Sequence, residues 1–409
     1  MIWLVVIVGL LLLIFLHELG HFTAALLVGI RPRSFYIGFP PAIAKVKYKG
    51  IEYGIGAIPL GGFVRIPGMH RPAGHDLEAF LGPALREDPG LAPPMQRVRR
   101  SLEAGDLDGA RAGLPELEQV VAAATLTPAA QRSARRALRD VEEGTASDAY
   151  WRQPTWKRVV ALAAGPAANV LVAFVIFFAV YLTGAPSATP STEVAAVEAN
   201  TPAAMAGLQV GDKVTAVDGH RATTFDRVSA LIRGSHGKPI TVTVRRSGST
   251  ITLGPRATIR SGSRWIWGFV PSAQLVSYPA GHSARLAIDD CWLVVTGTGK
   301  AIGGLFAGHE RGQLTSTVGI VRVSAAALRV GLNYYLQILA FVSMSLALFN
   351  LLPFLPLDGG HITFSLIEGI RRRAVPREVY ERASVLGMAL IALIAIIAFS
   401  NDFSGGGPH

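Results

Sequence analysis

The sequence predicts a polytopic α-helical membrane protein with about four transmembrane helices and two soluble insertions. Half of the 409 residues are hydrophobic and 16% are charged, whereas about a quarter of the residues of an ordinary soluble domain are charged. A helix needs about 20 apolar residues to cross a bilayer core of about 30 Å, and several uncharged runs approach or exceed that length. Composition therefore argues against a soluble protein.

Four apolar runs account for the predicted spans. They cover residues 2–30, 159–183, 330–357 and, as the shortest, 383–400. The first run lacks a basic segment before it and a small-residue cleavage site, so we expect it to be retained rather than removed as a signal peptide. The predicted segments are the first transmembrane helix (1–30), the region after it (31–69), a helical insert (70–150), the second transmembrane helix (151–184), a mainly β domain (185–262), an amphipathic segment (263–329), the third transmembrane helix (330–362), a basic loop (363–382), and the fourth transmembrane helix with a tail (383–409).

Basic residues near the span ends predict the orientation. They form three clusters: Arg31, Arg33, Lys45, Lys47 and Lys49 after the first span; Arg152, Lys157 and Arg158 before the second; and Arg371, Arg372, Arg373 and Arg377 between the third and fourth. All three fall on one side, which is the cytoplasm because cytoplasmic loops carry an excess of Lys and Arg. We therefore expect both termini and the β domain to be extracytoplasmic and the helical insert to be cytoplasmic.

Charge and cysteine content set two further limits. The formal net charge is +11, but no basic run is interleaved with aromatic residues, so we expect no nucleic-acid partner. Cys291 is the one cysteine in the chain, which excludes an internal disulfide. Stability must therefore come from packing.

The two soluble insertions differ in character. Residues 70–150 are rich in Ala, Arg, Glu and Leu with stretches at helical period, which predicts helices. A docking or regulatory module and a neutral spacer are both open interpretations of this insert. Residues 186–260 contain short β-rich runs separated by Gly and Pro, which predicts a compact, mainly β domain.

Candidate chemistry begins with His17-Glu18-x-x-His21 in the first span. On a helix both imidazoles lie on one face and can bind one Zn²⁺, while Glu18 can hold a water and take its proton. The pattern is weak in a soluble chain, where a solvated helix face explains it. Inside an apolar span each charge costs at least about 2.5 to 3.5 kcal/mol, so an accidental occurrence is disfavoured. A proton relay or a transporter site satisfies the same energetics, and a third ligand decides between them.

The third ligand is expected near the end of the third span. The run there is Asn350-Leu-Leu-Pro353-Phe-Leu-Pro356-Leu-Asp358-Gly359-Gly360-His361. Asp358 places a carboxylate within apolar sequence, and a catalytic zinc site has three protein ligands with one open position. His361 is a rival ligand, with an outer contact or a helix start as its alternative role. The prolines prevent a regular helix here, and the glycines let the backbone turn close to a metal.

Together, the two intramembrane motifs and the β domain between them resemble the site-2 protease family, and more narrowly the bacterial sigma-factor-regulating intramembrane zinc proteases. The resemblance implies Zn²⁺ held by His17, His21 and Asp358, with Glu18 as the general base. It also implies a bacterial inner-membrane protein, with its active site toward the cytoplasm, that cleaves a single-span membrane protein such as an anti-sigma factor or a remnant signal peptide.

Further stretches match the same family. Residues 53–66 resemble its membrane-associated β-hairpin, which pairs with extended substrate; Pro59, Gly61 and Gly62 are turn signals there, and the two glycines are candidate substrate-binding residues. A plain juxtamembrane loop is the alternative. Asn169, in Gly165-Pro166-Ala-Ala-Asn169, and Asn350 are also candidate substrate contacts, or else structural residues that make interhelical hydrogen bonds.

Residues 201–219 resemble the core of a PDZ domain, which binds a peptide strand at a sheet edge. We therefore expect a peptide or protein ligand for this extracytoplasmic domain. Residues 283–306 are amphipathic, which suggests either a gate on the membrane surface or a linker helix.

Two other functions remain open from sequence. A membrane metal-binding or ion-transport protein would use the same three ligands without hydrolysis, although transport does not require Glu18 beside them. A pseudo-protease scaffold would recruit partners through the PDZ-like domain, although it needs neither ligands nor base.

Overall fold

The computed structural model describes residues 2–261, 264–307 and 316–403. Its α-helices are α1 (Ile2–Leu27), α2 (Gly74–Glu87), α3 (Ala92–Glu103), α4 (Leu107–Ala123), α5 (Pro128–Thr145), α6 (Thr155–Thr183), α7 (Pro202–Met205), α8 (Phe225–Gly234), α9 (Ala280–Ala307), α10 (Thr317–Val330), α11 (Leu332–Asn350), α12 (Asp358–Arg371) and α13 (Arg377–Phe403). Its strands are β1 (Ser34–Tyr48), β2 (Ile51–Arg65), β3 (Ala185–Val197), β4 (Lys213–Val217), β5 (His220–Arg221), β6 (Pro239–Arg246), β7 (Ser249–Ala257), β8 (Ile259–Ser261), β9 (Arg264–Ile266) and β10 (Phe269–Val276).

Four helices in the described ranges are long and apolar enough to cross a membrane: α1, α6, α11 and residues Glu378–Ser400 of α13. Their number agrees with the sequence prediction of a polytopic membrane protein. The third helix is shorter than the apolar run that predicted it, because α11 ends at Asn350 and the prolines that follow cannot continue a helix. The fourth starts before its apolar run, because the polar turn ahead of that run is also helical.

Helices α1, α6 and α11 form the centre of the bundle. A Cβ built on Gly20 of α1 would overlap the carbonyl oxygen of Ala164 in α6, so small residues allow these two helices to approach closely. On the other side of α6, Phe177 packs edge-to-face on Phe341 of α11, with ring centroids 5.0 Å apart. Helix α6 therefore contacts both of the other helices.

Strands β1 and β2 form an antiparallel sheet that packs on α1. The chain reverses at Lys49 and Gly50, which have φ values of 48° and 80°. The sheet curls, so that residues 34–37 lie opposite both 52–55 and 62–65. An apolar cluster that includes Phe22 of α1 fixes the sheet to the helix.

The predicted turn signals Pro59, Gly61 and Gly62 lie inside β2, at the place where this strand doubles back. Residues 52–55 run parallel to 34–37, and residues 62–65 run antiparallel to them. The two strands are joined earlier, at Lys49 and Gly50. Pro and Gly are turn signals in an average sequence, but Gly within a strand also marks a close approach of another chain segment.

The insert is helical, as predicted, and consists of α2 to α5. Its apolar side chains form a core of their own, which includes Leu77, Leu81, Leu91, Val98, Leu117 and Val141. Two ion pairs fix it to the β1–β2 sheet: Arg33 donates to Asp148 at 2.9 and 3.0 Å, and Arg65 donates to Glu143 at 2.6 Å. The insert is thus a folded unit held against the sheet.

Residues 185–276 form a β-rich domain. Its six-stranded sheet has the order β10-β3-β4-β6-β7, with β5 paired to β4. Trp267 lies in the core with 1% exposure, and Phe269 and Val276 of β10 pair with Val197 and Ala185 of β3. The domain therefore extends beyond the predicted boundary at 262. Strand β10 contains Pro271, which is tolerated there because β10 lies at the edge of the sheet.

A buried carboxylate ties two parts of this domain together. Arg246 of β6 donates to both oxygens of Asp212, at 2.7 Å each, and this hydrogen bonding holds the pKa of Asp212 below its usual value. A depressed pKa means that the pair stabilises the fold above the unfolded-state pKa of about 3.9, and that this stabilisation is lost as pH falls through the folded-state value.

We therefore expect hydrogen-exchange protection factors in β4 and β6 of the full-length protein to fall as the pH drops below about 4. Asp212→Asn should show reduced protection already at pH 7, because the amide cannot accept the same charge-assisted bonds. Protection in Asp212→Asn equal to that of the wild type at pH 7 would contradict this role.

The insert and the β-rich domain attach to opposite ends of α6. The insert leads into Thr155, and the domain follows Thr183. A helix of 29 residues is about 43 Å long at 1.5 Å per residue, which exceeds a bilayer core of about 30 Å. The two soluble units are therefore joined to opposite ends of a helix that is long enough to cross a bilayer.

The amphipathic residues 283–306 lie within α9. Ala287 is fully buried in a cluster with Phe177, and Tyr181 of α6 donates to Asp290 at 2.6 Å. The opposite face of α9 exposes Trp292 and Leu293. Helix α9 thus packs on the bundle, and its proposed role as a gate stays a prediction.

Candidate metal centre

Two histidines of α1 lie one turn apart on one face of the helix. The Nε2 atoms of His17 and His21 are 3.2 Å apart, and both side chains are buried. Asp358 Oδ2 lies 3.2 Å from each of these nitrogens. The structure therefore brings together the three ligands predicted from the sequence, and this is the cluster able to hold a metal ion among the described residues.

Asp358 reaches the histidines because it opens α12. The loop before α12 folds back over its first turn. A Cβ on Gly359 would overlap the carbonyl oxygen of Leu351, and a Cβ on Gly360 would lie 2.5 Å from the backbone nitrogen of Leu355. Both positions therefore require glycine for the loop to close over the carboxylate.

Helix α12 is anchored to the start of α6. Arg158 donates to Glu368 at 2.5 Å, with the two side chains only 7% and 12% exposed. Tyr150 and Ser365 share a hydrogen bond of 2.8 Å, and burial raises the pKa of Tyr150 to about 12, so the phenol keeps its proton. Separating a buried ion pair is strongly destabilising, because each charge is then left without its partner. These contacts therefore fix the direction of α12.

The three donor atoms fit a tetrahedral zinc ion. Zinc bonds of about 2.0 to 2.2 Å at tetrahedral angles separate neighbouring ligand atoms by about 3.3 Å, close to the 3.2 Å of each pair here. A proton on one Nε2 can form a hydrogen bond within only one of these three atom pairs at a time, whereas a cation at the centre can bind all three atoms. Two imidazoles and a carboxylate are also ligands that zinc prefers, and the fourth position is left open.

His21 is oriented by the backbone of α6. Its Nδ1–H donates to the carbonyl oxygen of Ala161 at 2.9 Å, which leaves the Nε2 lone pair for a metal. The ring lies directly on α6, because a Cβ built on Gly165 would overlap His21 Nε2. The glycine of the Gly165-to-Asn169 motif is therefore explained by contact with a ligand.

Asn169 lies behind His17. Its side chain is fully buried, and its amide nitrogen is 3.2 Å from His17 Nδ1. Ser343 of α11 donates to its backbone carbonyl at 2.8 Å. The sequence left two roles open for Asn169, a substrate contact and an interhelical hydrogen bond. The structure places its side chain against His17, a predicted ligand in α1, which agrees with the second role.

Glu18 lies beside the ligands and against β2. A Cβ built on Gly62 would overlap Glu18 Cγ, and the backbone N–H of Val64 donates to its carboxylate. At Gly62, β2 thus approaches α1 closely and packs against the side chain of Glu18. Gly61, its neighbour in β2, is also buried.

A cavity of about 530 Å³ opens onto the three ligands and Glu18. Asn350, at the end of α11, lines it, as do Phe63 to Arg65 of β2 and Ile66 after the strand. His361 also lines the cavity but is absent from the ligand cluster, and its ring stacks on Tyr380 with centroids 6.4 Å apart. Of the predicted substrate contacts, Asn350 faces the cavity directly.

Some contributors to the site have no signal in the sequence. Ala161 and Val64 act through backbone atoms, so residue type carries no information about them.

Comparison with known proteins identifies the family. A family model described as "Peptidase family M50" matches residues 5–394, which is nearly the whole chain. The chain belongs to peptidase family M50. This assignment confirms the resemblance to site-2 proteases that the motifs suggested, and with it the prediction of an enzyme. It disfavours the transporter and scaffold interpretations.

Individual relatives of the M50 chain cover it over most of its length. A candidate zinc metalloprotease of Agrobacterium fabrum is 30% identical over 410 residues, which are 96% of this chain and 93% of the relative. The regulator of sigma-W protease RasP of Bacillus subtilis is 27% identical, over 95% of each chain. The zinc metalloprotease RasP of Geobacillus kaustophilus is 28% identical over 95% of this chain and 94% of the relative.

Proposed function

We propose that this M50 peptidase is an intramembrane zinc endopeptidase that cleaves a transmembrane segment of another membrane protein in regulated intramembrane proteolysis. The observation that carries the proposal is the triangle of His17, His21 and Asp358 at 3.2 Å, with Glu18 beside it, inside a bundle of apolar helices. A peptide bond that reaches a hydrolytic site inside such a bundle lies within the bilayer.

Glu18 is the proposed general base. The chemistry that Zn²⁺ supplies when bound is polarisation of the scissile carbonyl and acidification of a water. Glu18 takes the proton of the attacking water and passes it to the leaving nitrogen. The N–H of Val64 and the contact with Gly62 hold the carboxylate at the cavity while it does so.

Strand β2 is the proposed platform for the substrate. A helical substrate hides its carbonyls in internal hydrogen bonds and must be extended before hydrolysis. Residues 62–65 pair with 34–37 on one side, while the N–H of Val64 points to Glu18 on the other. This free edge lines the cavity and offers backbone groups to an extended strand, and Asn350 faces the same space.

The proposed location is the bacterial inner membrane, with the metal centre toward the cytoplasm and both termini outside. His21 lies six residues before the end of α1 at Leu27, or about 9 Å along the axis. That end of α1 is the one from which the β1–β2 sheet and the insert continue, where two of the three basic clusters lie.

The β-rich domain is the proposed PDZ-like element and faces the opposite side. It would bind the extracytoplasmic part of a single-span substrate, or a peptide, at a sheet edge. Anti-sigma factors and remnant signal peptides are single-span substrates of this kind.

Metal removal tests the proposal. We expect the purified full-length protein in detergent to cut a single-span model substrate labelled at both ends. Dialysis against a chelator should reduce the rate at least about 100-fold, and one equivalent of Zn²⁺, but not Mg²⁺, should restore it, because the donor set suits zinc. Fragment masses should place the cut in the transmembrane segment near its cytoplasmic end.

A pair of variants distinguishes the two ligand candidates in the same preparation. Asp358→Ala should lose zinc, whereas His361→Ala should keep the wild-type zinc content. Cleavage that persists without zinc would overturn the proposal, and zinc loss in His361→Ala alone would replace Asp358 as the third ligand.

A further inference from the structure

The side-chain amide of Asn169 is a buried group with one unsatisfied end. Its Nδ2 atom lies 3.2 Å from His17 Nδ1, while its Oδ1 atom is buried with no hydrogen-bond partner among the described residues. Leaving a buried acceptor unsatisfied costs about 1 to 3 kcal/mol. An orphaned oxygen next to the metal centre therefore needs an explanation.

The chemistry of His17 provides one. If Nε2 binds a metal through its lone pair, the single proton of the neutral ring is on Nδ1, which is then a donor. A donor does not pair with the NH₂ group of an amide. Rotation of the Asn169 amide by 180° brings Oδ1 to the position 3.2 Å from Nδ1, where it accepts the Nδ1–H of His17. The NH₂ group then takes the position that has no hydrogen-bond partner among the described residues.

We propose that Asn169 is a positioning residue for zinc, whose Oδ1 accepts the Nδ1–H of His17 and so presents Nε2 to the metal. This role rests on the proposed function, since it assumes the zinc site. It replaces the substrate contact predicted for Asn169, because a fully buried side chain behind His17 does not reach the cavity.

The role has a counterpart at the second ligand. His21 donates its Nδ1–H to the carbonyl oxygen of Ala161, in the same helix and two turns before Asn169. One stretch of α6 thus orients both imidazoles, one through its backbone and the other through a side chain. Such outer contacts fix the tautomer and direction of a ligand, and removing one lowers metal affinity about 10- to 100-fold.

Zinc affinity of purified full-length variants tests the proposal, with Zn²⁺ and a competing chelator as the probe. Asn169→Leu keeps similar volume but removes the acceptor, and we expect its zinc dissociation constant to rise about 10- to 100-fold. Asn169→Asp can only accept, so it should bind zinc as tightly as the wild type or more tightly. Co²⁺ absorption spectra of the same variants report ligand geometry independently of cleavage.

Ser343→Ala is the matched control. It removes a buried hydrogen bond to the backbone of Asn169 but leaves the side-chain amide in place, so we expect wild-type zinc affinity. Equal affinity in Asn169→Leu and wild type would overturn the positioning role while leaving the protease proposal intact. Weak binding in Asn169→Asp as well as Asn169→Leu would overturn the acceptor assignment, and a wild type that binds no zinc would overturn both proposals.

Discussion

Glu18→Gln is expected to reduce cleavage by about 10²- to 10⁴-fold while the protein keeps its zinc. Glutamine matches the size of glutamate and can still accept from Val64 N–H, so the contact with Gly62 is preserved. It cannot take a proton, and His17, His21 and Asp358 are unchanged. The experiment compares cleavage of a labelled single-span substrate with zinc content per chain.

Glu198→Gln provides the control, since Glu198 is exposed in the β-rich domain. It should cleave and bind zinc as the wild type does. Equal cleavage by Glu18→Gln and wild type would remove Glu18 from the mechanism. Loss of zinc together with cleavage would instead make Glu18 a ligand, contrary to the geometry of the cluster.

Gly165→Ala should abolish zinc binding and, with it, cleavage. The new Cβ would overlap His21 Nε2, the atom that binds the metal. Helix α6 cannot withdraw to make room, because Gly20 of α1 is already packed on Ala164, the residue before Gly165. Either the imidazole rotates away from the site or the two helices separate. Zinc content, Co²⁺ spectra and cleavage of the purified variant measure the loss.

Gly297→Ala is the control for this substitution. Gly297 is in α9, and a Cβ there meets no atom within 4 Å. Replacing glycine by alanine in an open helical position favours the helix by about 1 kcal/mol, so this variant should be as active and at least as stable as the wild type. Normal zinc content in Gly165→Ala would show that α1 and α6 are less tightly joined than their packing indicates.

The candidate metal centre was recognisable from the sequence because its ionisable residues lie within apolar segments. His17, Glu18 and His21 interrupt an apolar helix, and Asp358 interrupts another apolar run. The cost of charge in a bilayer leaves few explanations for such residues. The number of apolar helices was predictable for a related reason, since bilayer thickness fixes their length.

The supports of the centre were not predictable in the same way. Ala161 and Val64 contribute backbone atoms, which every residue has. Asn169 was recognised as significant, but its neighbour depends on how α6 rotates against α1, which local pattern does not specify. The same holds for Gly62, whose contact with Glu18 depends on how β2 doubles back along β1.

The boundaries of the elements were less predictable than their type. Strand β10 lies beyond the predicted end of the β domain at 262, and it contains Pro271, which the edge of a sheet accepts. Pro353 and Pro356 correctly indicated that the helix does not continue, and the structure places its end at Asn350. The insert was predicted as helical from its period, but its ion pairs to Arg33 and Arg65 join residues that are distant in the chain.

The pairing of β3 with β10 places the first and last strands of the β-rich domain side by side. Ala185 lies opposite Val276, so the chain enters and leaves the domain through adjacent ends, separated by the roughly 4.8 Å spacing of neighbouring strands. The distance between the end of α6 and the start of α9 is therefore independent of how much protein lies between them. A domain of different size or specificity can occupy this position while the catalytic bundle keeps its geometry.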